Sequence, residues 1–323
     1  MRKFLLLLSL FVLALAASFF ISAKPGVLII RMIFDKGAAT ASAKLEKHLT
    51  TGVASSTHQY DPTDADAFLD VYIGPETDPD LPTVVWVHGG GFVSGRRSDI
   101  ANYLMILAGQ GFAVVNVDYT IAPGATYPAP VRQINQALAF LAESGAQLGI
   151  NADRFVLAGD SAGAQIAAQL ATVTTNQDYA QTVDIDPKIA PTALAGALLF
   201  CGVYDVGSMG QGGGILGWFV HVTGWAYSGS RNWRDDQVFA TMSVLAETTA
   251  AFPPAFISAG NADPLAPQSA ALATALQGNG VSVQTLFFEA DYAPPLGHEY
   301  QFDLNTKAGQ LALEGAVAWL RSL

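Results

Sequence analysis

Gly159-Asp160-Ser161-Ala162-Gly163 sets one hydroxyl between two glycines, after an apolar run, Phe155–Ala158, and before an alanine-rich segment, Ala162–Thr172. Read as strand, sharp turn and helix, the segment pushes the Ser161 oxygen into the open. The helix N-terminus then favours negative charge beside it. Glycines two residues to either side leave room for a strained backbone. With 31 glycines in the chain, such a pentapeptide arises easily by accident; its place between strand and helix makes it specific. The chemistry it suits is nucleophilic attack on an acyl carbon.

A second cluster, His88-Gly89-Gly90-Gly91-Phe92, follows the apolar run Thr83–Val87. Residues without side chains let backbone N–H groups turn toward a tetrahedral oxyanion. The N–H groups of Gly89 and Gly90, joined by that of Ala162, are the expected donors. His88 is read as a residue that fixes the loop. No Lys-Ser/Thr pair follows the glycines, which argues against a phosphate cradle.

A serine nucleophile needs a base near neutral pKa and an acid to orient it. Histidine occurs only at positions 48, 58, 88, 221 and 298. On strand–serine–helix hydrolase scaffolds the order along the chain is serine, acid, histidine. His298, in a loop between the last strand signal and the last helix signal, is therefore the expected base. His221 is the alternative. Asp263, just after the run Pro254–Ala259, is the expected acid, although Asp followed by Pro is also a common turn; Asp205 and Glu289 are the alternatives.

The elements that must position these residues alternate. Strand signals cover 67–73, 83–87, 112–119, 155–159, 194–203, 254–259 and 281–288; helix signals cover 131–148, 162–172, 267–276 and 305–323. Several strands are unbroken Val/Leu/Ile/Phe runs, as in a parallel sheet buried on both faces. This predicts an α/β fold with a mostly parallel central sheet flanked by helices. Residues 206–251 break the alternation with a glycine-rich run and three of the five tryptophans, and are expected to form a lid or pocket wall.

Composition excludes other classes. Half the chain is apolar and the net charge is −11, which disfavours disorder and nucleic acid as a partner. The one cysteine, Cys201, permits no intrachain disulfide and lies in an apolar run, so it is read as a buried core thiol. Residues 4–23, uncharged after Arg2 and Lys3, have the length of a membrane span. A second patch, Val27–Phe34, favours retention over cleavage after Ala14-Leu15-Ala16. The expectation is therefore an exported protein held to the membrane by residues 1–24, the alternative being secretion or periplasmic release after signal cleavage. Residues 25–66 would be a linker or cap region and 67–323 the catalytic domain.

The chain resembles the hormone-sensitive-lipase-like branch of bacterial α/β-hydrolase esterases. The matching pieces are His88–Phe92, Asp118-Tyr119 with Ala122-Pro123, Tyr127-Pro128-Ala129-Pro130, Gly159–Gly163, Asp263-Pro264-Leu265 and His298. Thr120, Ile121 and Gly124 depart from the Arg-Leu and acid usual in that branch, and Glu299-Tyr300 replaces the more frequent Gly-Phe. The resemblance implies an α/β-hydrolase fold with a small cap, made from 37–64 and 206–251. It also implies hydrolysis of carboxylic esters of short to medium acyl chains through an acyl-enzyme on Ser161, with neither metal nor organic cofactor. Two other readings stay open: a deacetylase or peptidase using the same residues, and a non-catalytic binding protein on this scaffold.

Overall fold

In the computed structural model, residues 2–210 and 212–323 are described, without the side chains of residues 2, 6, 11, 12 and 14–16. The helices are α1 (Arg2–Ile21), α2 (Lys24–Leu45), α3 (Arg97–Ala108), α4 (Ala129–Leu148), α5 (Ala162–Thr175), α6 (Gln177–Thr182), α7 (Gly214–Ser228), α8 (Gln237–Ala240), α9 (Ala266–Gly278) and α10 (Lys307–Ser322). The strands are β1 (Ala54–Gln59), β2 (Phe68–Ile73), β3 (Thr83–Val87), β4 (Ala113–Val117), β5 (Phe155–Asp160), β6 (Leu194–Phe200), β7 (Ala255–Ala259) and β8 (Val283–Phe287).

The strands form one eight-stranded sheet in the order β1-β2-β4-β3-β5-β6-β7-β8. β1 and β2 pair antiparallel, as do β2 and β4, and every other pair is parallel. Alternation along the strands supplies two cores. Val84 and Trp86 join Tyr103 of α3, Phe200, Phe256 and Trp319 of α10 on one face. On the other face, Val85, Val87 and Leu157 join Leu138 of α4, Ile166 of α5 and Leu272 of α9. β3, β5, β6 and β7 are buried along almost their whole length, which is why they read as continuous apolar runs.

The chain leaves β3 for β4 on one side and later returns to β5 on the other, so the order reverses between β3 and β5. Loops splay apart beyond the strand carboxyl ends at such a switch point. Val87 pairs with Gly159 and Asp160 with Phe200, so the loop after β3, the serine after β5 and Cys201 after β6 emerge side by side.

Among the described residues, no helix is long and apolar enough to cross a membrane. That overturns the expectation of a protein held to the membrane by a spanning helix, and neither membrane association nor export is supported. The second apolar patch is taken up by the domain only in part, Leu28, Ile29, Met32 and Ile33 being exposed. Val27 and Ile30 of α2 are buried in the core, and Phe34 packs on Phe219 of α7 with ring centroids 5.6 Å apart. The end of α1 is tied down as well, Arg231 donating to the Phe20 carbonyl at 3.2 Å. The side chains of the cleavage site expected at 14–16 lie outside the described residues.

Candidate active site

Ser161 occupies φ 51°, ψ −117°, a conformation that L-residues rarely adopt. The turn is held by its own N–H, which donates to the Phe200 carbonyl at 2.9 Å. Helix α5 starts at the next residue, so Ser161 is both the end of the strand and the cap of the helix. The two glycines of the motif are required by close approach. A Cβ at Gly163 would collide with the Val87 carbonyl, and one at Gly159 would lie 2.5 Å from the Gly163 backbone.

His298 stands over this turn. Its Nε2 is 2.9 Å from Ser161 Oγ, and its Nδ1 is 2.9 Å from Asp263 Oδ2. With the carboxylate accepting from Nδ1–H, Nε2 is left free to accept the serine proton. Asp263 is buried, and its second oxygen accepts the Leu265 N–H at 2.8 Å. Asn261 fastens the two loops together, accepting from Leu296 N–H at 2.8 Å and donating to the Tyr292 carbonyl at 3.0 Å. Burial opposes a charge on His298. The Cys201 sulfur beside it, the Asp263 hydrogen bond and the Glu299 carboxylate prevail and hold its pKa well above the ordinary imidazole value.

The structure thus brings Ser161, Asp263 and His298 together. The alternatives lie elsewhere. His221 is on α7 with its ring 6.0 Å from that of Trp225, Asp205 accepts the Gly207 N–H of its own loop, and Glu289 is exposed beyond β8.

The glycine loop is held by three contacts. His88 is buried and its Nδ1 donates to the Gly89 carbonyl at 2.8 Å; its ring stacks on Tyr119 at 4.4 Å, and Tyr119 Oη donates to the His88 carbonyl at 3.1 Å. Burial pushes the His88 pKa down, against the pull of Asp118, as suits a neutral loop-fixing ring. Gly90 and Gly91 take φ of +109° and +60°, open to glycine at no cost. The Gly89 N–H, one of the three donors expected for an oxyanion, is instead engaged: it donates to Asp160 Oδ2 at 3.0 Å. Trp86 Nε1 donates to Asp160 Oδ1 at 2.8 Å. Gly90, Gly91 and Ala162 face the same cavity as Ser161. None of their N–H groups donates to another described residue.

Sequence reasoning passed over three neighbours of the serine. Asp160, a charge ending an apolar strand, carried a signal that went unread. Glu299 carried one too, as a departure from the family's glycine. Cys201, read as an ordinary core thiol, is indeed buried, and burial pushes its pKa up. It sits beside the histidine, however, at φ 45°, and only the strand register reveals that. Cys201, Asp263 and His298 place their potential ligand atoms within 4.8 Å of one another. The 2.9 Å contact between Asp263 and His298 is hydrogen-bonding distance, closer than two ligands on a tetrahedral ion stand.

Above Ser161 opens a cavity of about 910 Å³. Its walls are mostly apolar: Ile33, Phe34 and Ala38 from α2, Leu216 and Phe219 from α7, and Leu265 below. Arg31 clamps α2 to the domain, donating from Nε to the Val93 carbonyl at 2.6 Å and from Nη2 to the Ala122 carbonyl at 2.9 Å. Where the family's Arg-Leu pair is missing, Thr120 donates to Asp66 at 2.8 Å and accepts from Gln133 through Oγ1 at 2.8 Å. Asp118 pairs with Arg97 at 2.6 Å.

The sequence profile of the alpha/beta hydrolase fold matches residues 84–292. Esterase LipQ of Mycobacterium tuberculosis is 26% identical over 269 residues, which cover 80% of this chain and 59% of LipQ. The chain thus spans about six-tenths of that relative. Carboxylesterase NlhH of the same organism is 29% identical over 71% of this chain and 70% of its own length. Esterase B from Lactobacillus rhamnosis superposes with a TM-score of 0.77 at 22% identity, covering 92% of this chain and 96% of that one. An esterase of Pyrobaculum calidifontis does so with 0.73 at 22%, covering 92% of each chain.

Proposed function

This chain belongs to the α/β-hydrolase family, and within it we propose a carboxylesterase that works through an acyl-enzyme on Ser161. The relay of 2.9 Å from Ser161 Oγ to His298 Nε2 and 2.9 Å from His298 Nδ1 to Asp263 Oδ2 carries this reading. Ser161 attacks the ester carbonyl while its proton passes to His298. The imidazolium returns that proton to the leaving alcohol. Water, deprotonated by the same nitrogen, then releases the acid. The developing oxyanion falls to the N–H groups of Gly90 and Ala162, with Gly91 as the next amide of the loop. Gly89, whose N–H holds Asp160, serves to anchor that loop.

The bounded apolar cavity suits an acyl chain longer than acetyl but short of a full fatty tail. Helix α2 and the α7 segment, from 25–66 and 206–251, act as the cap over it. A series of p-nitrophenyl esters from acetyl to palmitoyl tests this: kcat/KM should peak at short to medium chains and vanish in Ser161→Ala. Full turnover by that variant would end the proposal. A peak at acetyl would remove the acyl-chain assignment.

A further inference from the structure

Glu299 follows the base directly, at φ 60°, and its Oε1 lies 3.8 Å from His298 Nε2. Its carboxyl also meets that of Asp160, which is 2% exposed and already commits one oxygen to Trp86 Nε1–H and the other to Gly89 N–H. Burial, then the adjacent Glu299, pushes the Asp160 pKa well above the usual carboxylate range. The Glu299 carboxylate faces the nitrogen that becomes positive when Ser161 gives up its proton.

We propose that Glu299 is a positioning residue for the base: its carboxylate, 3.8 Å from Nε2, steadies the imidazolium that forms when His298 takes the serine proton. The inference rests on reading Ser161 and His298 as nucleophile and base. The proton that travels is the serine's, from Oγ to Nε2 and on to the alcohol oxygen; Glu299 neither gives nor takes one. Around His298 the remaining titratable groups are Cys201, beyond β6, and Asp263, beyond β7. Arg96, Asp99, His88 and Asp205 line more distant walls of the cavity.

Two variants separate charge from shape. Glu299→Gln keeps a donor toward Asp160 and removes the charge; Glu299→Gly suits the backbone and removes the side chain. The His298 ring is followed by NMR titration of the full-length protein, its signal assigned by loss in His298→Gln, and Ser161 by its rate of fluorophosphonate labelling against pH. In both variants the His298 midpoint should fall by about half to one pH unit, the size expected of a half-exposed carboxylate at this distance. The acid limb of labelling should move with it, and the plateau rate should drop several-fold as the base weakens. A rate loss equal at every pH, with the midpoint unmoved within about 0.2 unit, would show a merely structural role and overturn the proposal. A midpoint that shifts while Ser161 takes no label, even in the unaltered protein, would uphold the Glu299–His298 contact and sink the nucleophile reading instead.

Discussion

Asp160→Asn probes the joint between the serine turn and the glycine loop. The carboxylate is 2% exposed, and its two oxygens each accept one N–H, from Trp86 at 2.8 Å and from Gly89 at 3.0 Å. Asparagine offers a single acceptor oxygen. Its NH2 must then face one of the two N–H groups, leaving a buried donor without a partner, at about 1–3 kcal/mol. The net loss is therefore about 1–3 kcal/mol. If the released donor is Gly89, the loop shifts and takes the Gly90 amide out of aim, which costs kcat about 10²–10³-fold. Urea denaturation and steady-state kinetics on a butyrate ester measure the two. Stability within about 0.5 kcal/mol of the parent, with kcat within twofold, would refute the reasoning.

Three further outcomes follow from the same geometry. Asp263→Asn should lower kcat by about 10³–10⁴-fold with little change in KM, because the histidine loses its oriented tautomer; circular dichroism should be unchanged. Since His298 must be neutral to accept a proton and its pKa is raised, kcat/KM should fall as pH drops through a midpoint above 6.5, and a midpoint below that value would contradict the cause given for the shift. Gly163→Ala should cost at least about 3 kcal/mol, read from its melting curve, because the added Cβ strikes the Val87 carbonyl and the turn can relax only by moving α5.

Ser161 and its glycines were legible because steric necessity writes itself into sequence: only glycine at 163 lets α5 approach the end of β3, and only glycine at 159 lets the start of α5 fold back on β5. His298 was legible by scarcity and position, and the buried parallel strands by their apolar runs. β1 was not, because it is an exposed edge strand of polar residues, Ala54–Gln59, with no alternation to betray it. Nor was α7, whose apolar residues are needed on both its domain face and its cavity face, which blurs the helical period. The fate of the Gly89 amide depended on a carboxylate 71 residues away. Val27–Phe34 shows the limit most sharply: Val27 and Ile30 go to the core while Leu28, Ile29, Met32 and Ile33 stay exposed, and an apolar run does not announce that division.

Covalent trapping of the nucleophile tests the central claim most directly. The protein is treated with a fluorophosphonate and the adduct is located by peptide mass spectrometry. One adduct is predicted, on Ser161, absent from Ser161→Ala and formed on the order of 10³-fold more slowly in His298→Ala. An adduct on any other residue, or labelling of Ser161 at undiminished rate without the imidazole, would contradict the account.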